Sequence, residues 1–283
     1  MNMLVNFAKM HGLGNDFILL DLITQNVRLH TAHIKRMMDR HIGLGADQLL
    51  LIEPPLNRNS HFSYRIFNPD GSEAEQCGNG VRCAARFFFD SGLTDETYLF
   101  ADSFAGTREL KIEKDNSVTV NMGDPEFNPK KIPFLVNSGH KILEILDYPL
   151  SIDNRELRIS AVSLGNPHLV IIVDDLATIP LGKLGPLLSK HSFAPNEINV
   201  EFVQIVDRGN IKVRVYERGV GETLACGSGA CAAVVIGQRL NLLDDSVNVA
   251  FKLGTLSVKW EGMGSNVYLQ GPATSVFIGR FRL

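Results

Sequence analysis

Two cysteines in related sequence contexts are the residues of this chain best suited to chemistry. Cys77 precedes Gly-Asn-Gly in "EAEQCGNGVRC", and Cys226 precedes Gly-Ser-Gly in "GETLACGSGAC". A thiol has an unperturbed pKa of about 8.5, so only a small fraction is thiolate at neutral pH. Free backbone N–H groups at the start of a helix stabilise the thiolate and can lower this pKa. We therefore expect both thiols to be tuned for proton transfer.

The glycine turns that follow the two cysteines could bind an anion. Backbone N–H groups at the mouth of a helix can hold a carboxylate, so each turn would supply an anion site beside a proton-transfer group. Two such half-sites, related by a pseudo-two-fold axis, would place one thiol on each face of a bound carbon. A two-base epimerase needs this arrangement, with donors aimed at the charge that builds on the substrate carboxylate.

The four cysteines also allow less specialised interpretations. A cysteine in an apolar context is more often a packed core residue than a catalyst, and this interpretation suits Cys83 and Cys231, which lie among alanines. A zinc site is weakly supported, because the second thiol of each pair would be buried in a helix. A Cys-X-X-Cys redox motif and a phosphate-binding glycine loop are both absent from the sequence. We therefore predict no metal and no cofactor.

The two cysteine segments belong to a longer repeat. At a shift of 149 residues, "FSYRIFNPDGSEAEQCGNG" (Phe62–Gly80) lies without gaps on "IKVRVYERGVGETLACGSG" (Ile211–Gly229). At a shift of 151 residues, Leu13-Gly14-Asn15 matches Leu164-Gly165-Asn166, and Gln48 falls on Asn199. The period is domain-sized, which indicates a duplication into two similar domains that face each other across a cleft.

Hydrophobic patterns place the cysteines on helices between strands. The apolar runs 81–90 and 230–240 predict helices that are buried on most sides. We predict a glycine turn entering a strand over Lys9–Leu22 and a surface helix over Thr31–Gly43. The segment Gly123–Pro133 holds three prolines, so it is the predicted linker, with domains at 1–124 and 125–272.

Composition narrows the class of protein. The chain has 283 residues, 45% of them hydrophobic and 21% charged, as is ordinary for a folded soluble protein. Its net charge of −3 argues against nucleic acid and against an anionic membrane as partners. We see no apolar run of membrane-spanning length and no secretory signal, so we expect free thiols in a reducing cytoplasm.

Six landmarks of the sequence, in order along almost the whole chain, resemble the diaminopimelate epimerase family. They are "HGLGNDF" (His11–Phe17), "GADQLL" (Gly45–Leu50), "FNPDGSEAEQCGNGVRC" (Phe67–Cys83), "SLGNPH" (Ser163–His168), "NEINVEFV" (Asn196–Val203) and "ERGVGETLACGSGACA" (Glu217–Ala232). The resemblance implies the interconversion of LL- and meso-2,6-diaminopimelate, without pyridoxal phosphate or metal, for lysine and peptidoglycan synthesis. It also implies that Cys226 accepts the proton of the LL isomer while Cys77 donates to the opposite face.

The resemblance implies the substrate contacts as well. They are Asn15, Gln48, Asn68, Gly78, Asn79, Asn166, Asn199, Glu217, Arg218, Gly227 and Ser228. Amide side chains can donate to a carboxylate and accept from an ammonium, Arg218 can grip a distal carboxylate, and Glu217 can take an ammonium. Next to these contacts, but not touching the substrate, we expect His168, Glu73 and Glu222. The two glutamates would either cap the helices or form hydrogen bonds across the pseudo-two-fold axis.

The family fold is α+β, with two pseudo-symmetric domains that are each a curved, mostly antiparallel sheet around a central helix. The active site would lie in the interdomain cleft, and the last strand, about residues 273–283, would return to the first domain. Family members usually form homodimers, so we expect a homodimer that binds a small amino acid.

Two alternatives remain open at this point. A related two-thiol racemase could act on another amino acid such as proline. A non-catalytic protein could bind an amino acid or use the two cysteines as a redox pair. The polar residues expected around the substrate favour one with a polar distal end.

Overall fold

The computed structural model describes residues 3–74, 78–104, 106–135 and 142–283, which fold into two units. Unit 1 contains Met1–Asn121 and Gln270–Leu283, and unit 2 contains Met122–Leu269. Unit 2 is therefore inserted, in sequence, into unit 1. Among the described residues no helix is both long enough and apolar enough to span a bilayer.

Unit 1 combines strands with two helices. In chain order these elements are β1 (Leu4–Gly12), β2 (Asn15–Asp21), α1 (Thr31–Met38), β3 (Gln48–Glu53), β4 (Phe62–Phe67), β5 (Glu73–Ala74), α2 (Gly78–Asp90), β6 (Tyr98–Ser103), β7 (Gly106–Ile112) and β8 (Val118–Gly123), with β18 (Thr274–Arg282) after unit 2. The β2–β3 and β4–β6 pairs are parallel. The β18–β1, β1–β2, β3–β4, β4–β5, β6–β7 and β7–β8 pairs are antiparallel.

Unit 2 repeats the order of elements found in unit 1. After β9 (Tyr148–Ile152) come β10 (Arg155–Ser163), β11 (Pro167–Ile172), α3 (Leu181–Ser189), β12 (Asn199–Asp207), β13 (Asn210–Glu217), β14 (Gly221–Thr223), α4 (Gly227–Arg239), β15 (Ser246–Phe251), β16 (Gly254–Lys259) and β17 (Val267–Gly271). The parallel pairs recur as β11–β12 and β13–β15. The α+β class with two domains is confirmed, and the strand pairing within each unit is mixed.

The parallel strands β2 and β3 of unit 1 are buried on both faces along most of their length, which explains their continuous apolar runs. Ile18 and Leu20 of β2 pack with α1, and the alternate residue Leu19 is equally buried on the other face. Helix α2 contacts β1, β2, β3 and β7. One helix on each side of the β2–β3 pair therefore removes both faces from water.

Unit 2 uses the same construction with one difference. Val200 and Phe202 of β12 belong to the apolar cluster that includes helix α3. Because successive side chains of a strand point to opposite faces, Glu201 points away from that cluster. The other side of β11 and β12 is covered by α4, which also contacts β10, β13, β15 and β16. Two polar residues, Glu201 and His168, are thus buried between these strands and α4.

Three boundaries differ from the sequence predictions. The segment before Asn15 is a full strand, β1, joined to β2 through Leu13 and Gly14, which have positive φ angles of 53° and 89°. Helix α1 ends at Met38 rather than Gly43, because the Asp39 side chain accepts hydrogen bonds from two following backbone N–H groups. Helices α2 and α4 begin three residues before their apolar runs, since each glycine turn is the first turn of its helix.

Candidate active site

The Cys226 thiol lies at the start of helix α4. Cys226 is the N-cap residue with extended backbone angles (φ −126°, ψ 120°), and the Gly229 N–H donates to its sulfur over 3.4 Å. The Ser228 hydroxyl lies 3.5 Å from the same sulfur. Only 6% of Cys226 is exposed. The sequence "CGSG" therefore builds a helix cap from a thiol, because glycines allow the first turn to close around the sulfur.

A carboxyl group faces this thiol. Glu217 is the last residue of β13, and its side chain accepts hydrogen bonds from the Thr223 hydroxyl and from the Cys226 thiol. Burial raises the pKa of Glu217, and these two donors oppose that rise. The structure thus places Glu217 against the reactive sulfur, and the ammonium contact expected for it stays a prediction.

The surroundings of Cys226 favour the neutral thiol. Burial raises its pKa well above the usual range, and the negative charges of Glu217 and Glu201 add to the rise. The hydrogen bonds from Ser228 and the Gly229 N–H lower the pKa by less. The Gly229 N–H at the helix start acts in the expected direction, but the expected net lowering of the pKa is wrong for Cys226, because desolvation and two carboxylates outweigh one helix terminus.

A buried histidine connects three of the polar residues. His168 and Glu201 are both fully buried, with Nδ1 of the ring 2.8 Å from Oε1 of Glu201. The other ring nitrogen, Nε2, lies 3.0 Å from Oδ1 of Asn166. The amide Nδ2 of Asn166 donates to the Ser228 hydroxyl over 3.3 Å. His168 thus lies behind the predicted contacts Asn166 and Ser228, and its ring bonds Glu201 and Asn166.

Glu201 was not predicted from the sequence. A Cβ atom at Gly229 would lie 2.7 Å from Oε1 of Glu201, so the second glycine of "CGSG" makes room for this carboxylate. A sequence signal existed, because Glu201 is the one charged residue in the buried run "NVEFV". An uncompensated carboxylate in such a strand is costly, which usually indicates a specific partner.

Arg218, which is predicted to bind a distal carboxylate, is hydrogen-bonded to Asn199, another predicted contact. The Arg218 backbone N–H donates to Oδ1 of Asn199 over 2.9 Å, and Nδ2 of Asn199 donates to the Pro167 carbonyl over 3.2 Å. The guanidinium of Arg218 donates to the Asn196 carbonyl over 3.2 Å and is exposed. Asn199 is thus held by backbone groups on two sides, and Gly227 follows the thiol as the first residue of α4.

In unit 1 a series of hydrogen bonds orients two of the predicted asparagines. Fully buried Arg82 donates to Oδ1 of Asn79 over 2.8 Å, and Nδ2 of Asn79 donates to Oδ1 of Asn15 over 3.3 Å. Nδ2 of Asn15 then donates to the Asp47 carboxylate over 3.0 Å. Arginine can only donate and a carboxylate only accepts, so the ends of the series fix which way both amides point.

The remaining predicted residues of unit 1 form a second group. Nε2 of Gln48 donates to Oδ1 of Asn68 over 3.2 Å, and Nδ2 of Asn68 donates to the Ser72 hydroxyl over 3.1 Å. Gly78 is the first residue of α2. Cys77 lies outside the described residues. The predictions omitted Arg82. Like Glu201, it could have been noticed as a charged residue within an apolar segment, here the helix sequence "VRCAARFFF".

Glu73 and Glu222 each form an ion pair with an arginine of the preceding strand. Nε and Nη2 of Arg65 donate to Glu73 over 2.7 and 2.8 Å, and Nε and Nη2 of Arg214 donate to Glu222 over 3.0 and 2.9 Å. Each pair joins two neighbouring antiparallel strands at the surface. Each glutamate thus bonds an arginine diagonally across its strand pair, and the expected roles in capping the helices or bonding across the pseudo-axis stay predictions.

In the described parts of the chain, no three His, Cys, Asp or Glu side chains are grouped so that they could hold a metal ion. The groups that the structure brings together in unit 2 are suited to proton transfer. A neutral thiol, a carboxyl group and a hydrogen-bonded histidine lie together at one helix start. Backbone and amide donors surround them.

Comparison with known proteins agrees with this chemistry. The diaminopimelate epimerase family model matches residues 7–128 and 160–276. A diaminopimelate epimerase from Nitrosomonas europaea is 49% identical over 281 residues, which cover 99% of this chain and 100% of that protein. One from Nitrosospira multiformis is 47% identical over 281 residues, with 99% of each chain covered. These matches extend over the whole chain and include both cysteine segments.

Solved structures share the fold at much lower identity. A hydroxyproline epimerase from Agrobacterium vitis superposes with a TM-score of 0.69 and 14% identity, covering 99% of this chain and 93% of that one. A Bacillus anthracis protein of the phenazine biosynthesis PhzF family also gives 0.69, with 18% identity and 99% of both chains covered. By its sequence matches, the chain is an isomerase and belongs to the diaminopimelate epimerase family.

Proposed function

We propose that the protein interconverts LL- and meso-2,6-diaminopimelate through two cysteines, without pyridoxal phosphate. The proposal is supported by two relatives named diaminopimelate epimerase, which are 49% and 47% identical to this chain over nearly their full length. The observation that carries the mechanism is the Cys226 thiol at the start of α4, in hydrogen-bond contact with Glu217. Cys77 is proposed as the second acid–base group on the ground of the sequence repeat.

At Cys226 the proton has a defined route. The neutral thiol donates its proton to the α-carbon when the protein acts in one direction. In the other direction, Glu217 first takes the thiol proton, and the thiolate then removes the proton from the α-carbon. The electron pair of the broken C–H bond passes to the substrate carboxylate, and Cys77 protonates the carbon from the opposite face. Groups that exchange protons in this way work best when their pKa values are similar.

The remaining predicted contacts would bind the two ends of the substrate. The start of α4, with Gly227 and Ser228, is suited to the reacting carboxylate, because its N–H groups are not used within the helix. Arg218 is suited to the distal carboxylate. The other proposed contacts are Asn15, Gln48, Asn68, Gly78, Asn79, Asn166 and Asn199.

We further propose that the protein is a cytoplasmic homodimer that serves lysine and peptidoglycan synthesis. The dimer is supported by β18, which exposes Val276, Phe277 and Ile278 by 54%, 48% and 80%. Exposed apolar residues in a row on a strand are typical of an interface. Sedimentation of the wild type should give twice the chain mass, and Ile278→Glu should weaken the association; a wild-type monomer would contradict the dimer.

Proton exchange in heavy water tests the activity. Reduced protein is incubated with LL-diaminopimelate, and proton NMR follows the loss of the α-proton signal as deuterium enters and the meso isomer forms. Absence of deuterium at the α-carbon would refute the epimerase proposal. A panel that includes proline tests the substrate, since exchange on proline without exchange on diaminopimelate would assign the chain to another racemase.

Cysteine variants test the mechanism. Cys77→Ala and Cys226→Ala should each abolish the interconversion of the isomers, because one face of the carbon loses its proton-transfer group. Cys83→Ala and Cys231→Ala are the matched controls, since both of these thiols are fully buried within helices α2 and α4. The controls should keep most of the activity. Equal losses from all four variants would indicate a structural role for the thiols.

A further inference from the structure

A continuous series of hydrogen bonds runs from Glu201 to the Cys226 thiol. The carboxylate of Glu201 bonds the ring of His168 at 2.8 Å, and the ring bonds Asn166 at 3.0 Å. Asn166 bonds the Ser228 hydroxyl at 3.3 Å, which lies 3.5 Å from the sulfur. The series therefore connects a buried strand residue to the reactive group at the start of α4.

Glu201 is difficult to explain by stability alone. It is fully buried in β12 between Val200 and Phe202, and its second oxygen, Oε2, has no hydrogen-bond partner in the part of the chain that the structure describes. Replacing a buried ionic pair with apolar residues is often neutral or stabilising. The helix opposite has a glycine, Gly229, at a position where an added Cβ atom would lie 2.7 Å from Oε1 of this carboxylate. Strand and helix are thus both shaped around Glu201.

We propose that Glu201 is a positioning residue for the reaction at Cys226, and that it acts by holding His168, Asn166 and Ser228 in the order that presents the serine hydroxyl to the sulfur. This proposal rests on the proposed role of Cys226. Glu201 is not expected to touch the substrate, because it lies behind His168 and under the first turn of α4. Because this hydrogen-bonded series is fixed at its buried end by Glu201, the Ser228 hydroxyl and the Cys226 thiol have fewer alternative orientations.

The charge of Glu201 has a second consequence for the same thiol. Among the described residues, the ionisable groups that face this thiol are Glu217 on β13, Glu201 on β12 and His168 on β11. After burial, the two carboxylates are the causes that raise the pKa of Cys226. Removing the charge of Glu201 should therefore make Cys226 more acidic, whereas loss of a purely structural residue would leave its acidity unchanged.

The test is Glu201→Gln, which keeps the size of the side chain and removes the charge. Two quantities are measured on the full-length protein: proton exchange with diaminopimelate, and the pH at which iodoacetamide alkylates Cys226 at half its maximal rate, read by peptide mass spectrometry. We expect exchange to fall by about tenfold or more, because acid–base catalysis contributes about 10² to 10⁴. The alkylation midpoint should move to lower pH by about one to two units.

Two further variants make the outcome decisive. Glu201→Asp keeps the charge but moves the carboxylate oxygen away from His168, so proton exchange should fall while the alkylation midpoint stays near that of the wild type. If the glutamine variant does not fold, the aspartate variant still tests the positioning role. Glu156→Gln, an exposed glutamate of unit 2, should change neither quantity. Unchanged exchange and an unchanged midpoint in Glu201→Gln would overturn the inference. The alkylation midpoint is independent of turnover, so it still tests Glu201 if the wild type proves inactive on diaminopimelate.

Discussion

Asp102 provides a sharp test of how polar groups stabilise unit 1. This residue of β6 is 2% exposed, and its carboxylate accepts hydrogen bonds from the Leu56 and Asn57 N–H groups. The side chains of Asn57, Ser60 and Thr107 also donate to it, over 2.9, 2.8 and 2.7 Å. Through these hydrogen bonds the carboxylate links the β3–β4 loop and the start of β7 to β6.

The pKa of Asp102 gives the size of the effect. Burial alone would raise it, but the hydrogen bonds outweigh burial and lower the pKa from 3.8 to about 2. At about 1.4 kcal/mol per pKa unit, this shift corresponds to about 2.5 kcal/mol of stability. Because the folded-state pKa is lowered, this stability is present above about pH 4 and is lost as the pH falls through about 2.

Asp102→Asn should therefore lower the free energy of unfolding by about 2 to 4 kcal/mol at pH 7, since the amide has no charge and its NH₂ group faces other donors. The difference between the two proteins should shrink as the pH falls from 4 towards 2. Hydrogen exchange of the peptide that contains Leu56 and Asn57, measured in the native protein, reports the loss locally and avoids assuming two-state unfolding.

A matched substitution separates this effect from a general charge effect. Asp115→Asn removes an exposed carboxylate that bonds only its neighbour Ser117 among the contacts described for its side chain, so exchange should change little. The reasoning about Asp102 would be refuted by a loss of less than about 0.5 kcal/mol at pH 7, which is the size expected for an ordinary surface substitution. A loss of the same size at pH 7 and pH 2 would refute it equally.

Two pairs of substitutions test packing and amide orientation. Gly185→Ala should lower the melting temperature by several degrees, because a Cβ atom at this position would overlap the ring of Tyr216. Its control is Gly182→Ala in the same helix, where a Cβ atom would have open space, so this substitution should leave the free energy of unfolding unchanged or raise it by up to about 1 kcal/mol. Arg82→Lys should raise the KM for diaminopimelate, because a single ammonium cannot replace the buried guanidinium that orients two asparagines. Arg86→Lys, at the same helix but paired at its surface with an aspartate, should leave KM unchanged, and equal KM values for both variants would contradict the orienting role.

The elements of the fold could be predicted where the apolar pattern was long and regular. Helices α2 and α4 follow from runs of alanine, valine and phenylalanine, which are buried on most sides. The strand β1 was missed, because its residues "LVNFAKMHG" include polar and charged types that weaken the strand pattern. The end of α1 was placed too late, since the hydrogen bonds of one aspartate decided it. Boundaries of this kind depend on single side chains rather than on periodicity.

The sequence could predict that several polar residues of unit 2 lie near Cys226, but it could not predict their electrostatic effect. Residues Asn166, Ser228 and Cys226 came from motifs, and the structure joins them in one hydrogen-bonded series. The acidity of Cys226 could not be predicted, because it depends on burial and on the distances to Glu217 and Glu201. A helix start is visible in a sequence, whereas two carboxylates from distant strands become neighbours only after folding.

The insertion of unit 2 into unit 1 has a consequence for synthesis on the ribosome. Strand β1 pairs with β18 from Leu4 to His11, and Phe7 packs edge-on against Phe277 of that strand, with ring centroids 5.8 Å apart. A newly made N-terminal segment therefore has one edge of β1 uncovered until all of unit 2 has emerged. Unpaired strand edges promote aggregation, and domains tend to fold as they are made. Unit 2 is continuous in sequence and can complete its fold first. Unit 1, although its N-terminal segment is made earliest, completes its fold last, when β18 pairs with β1.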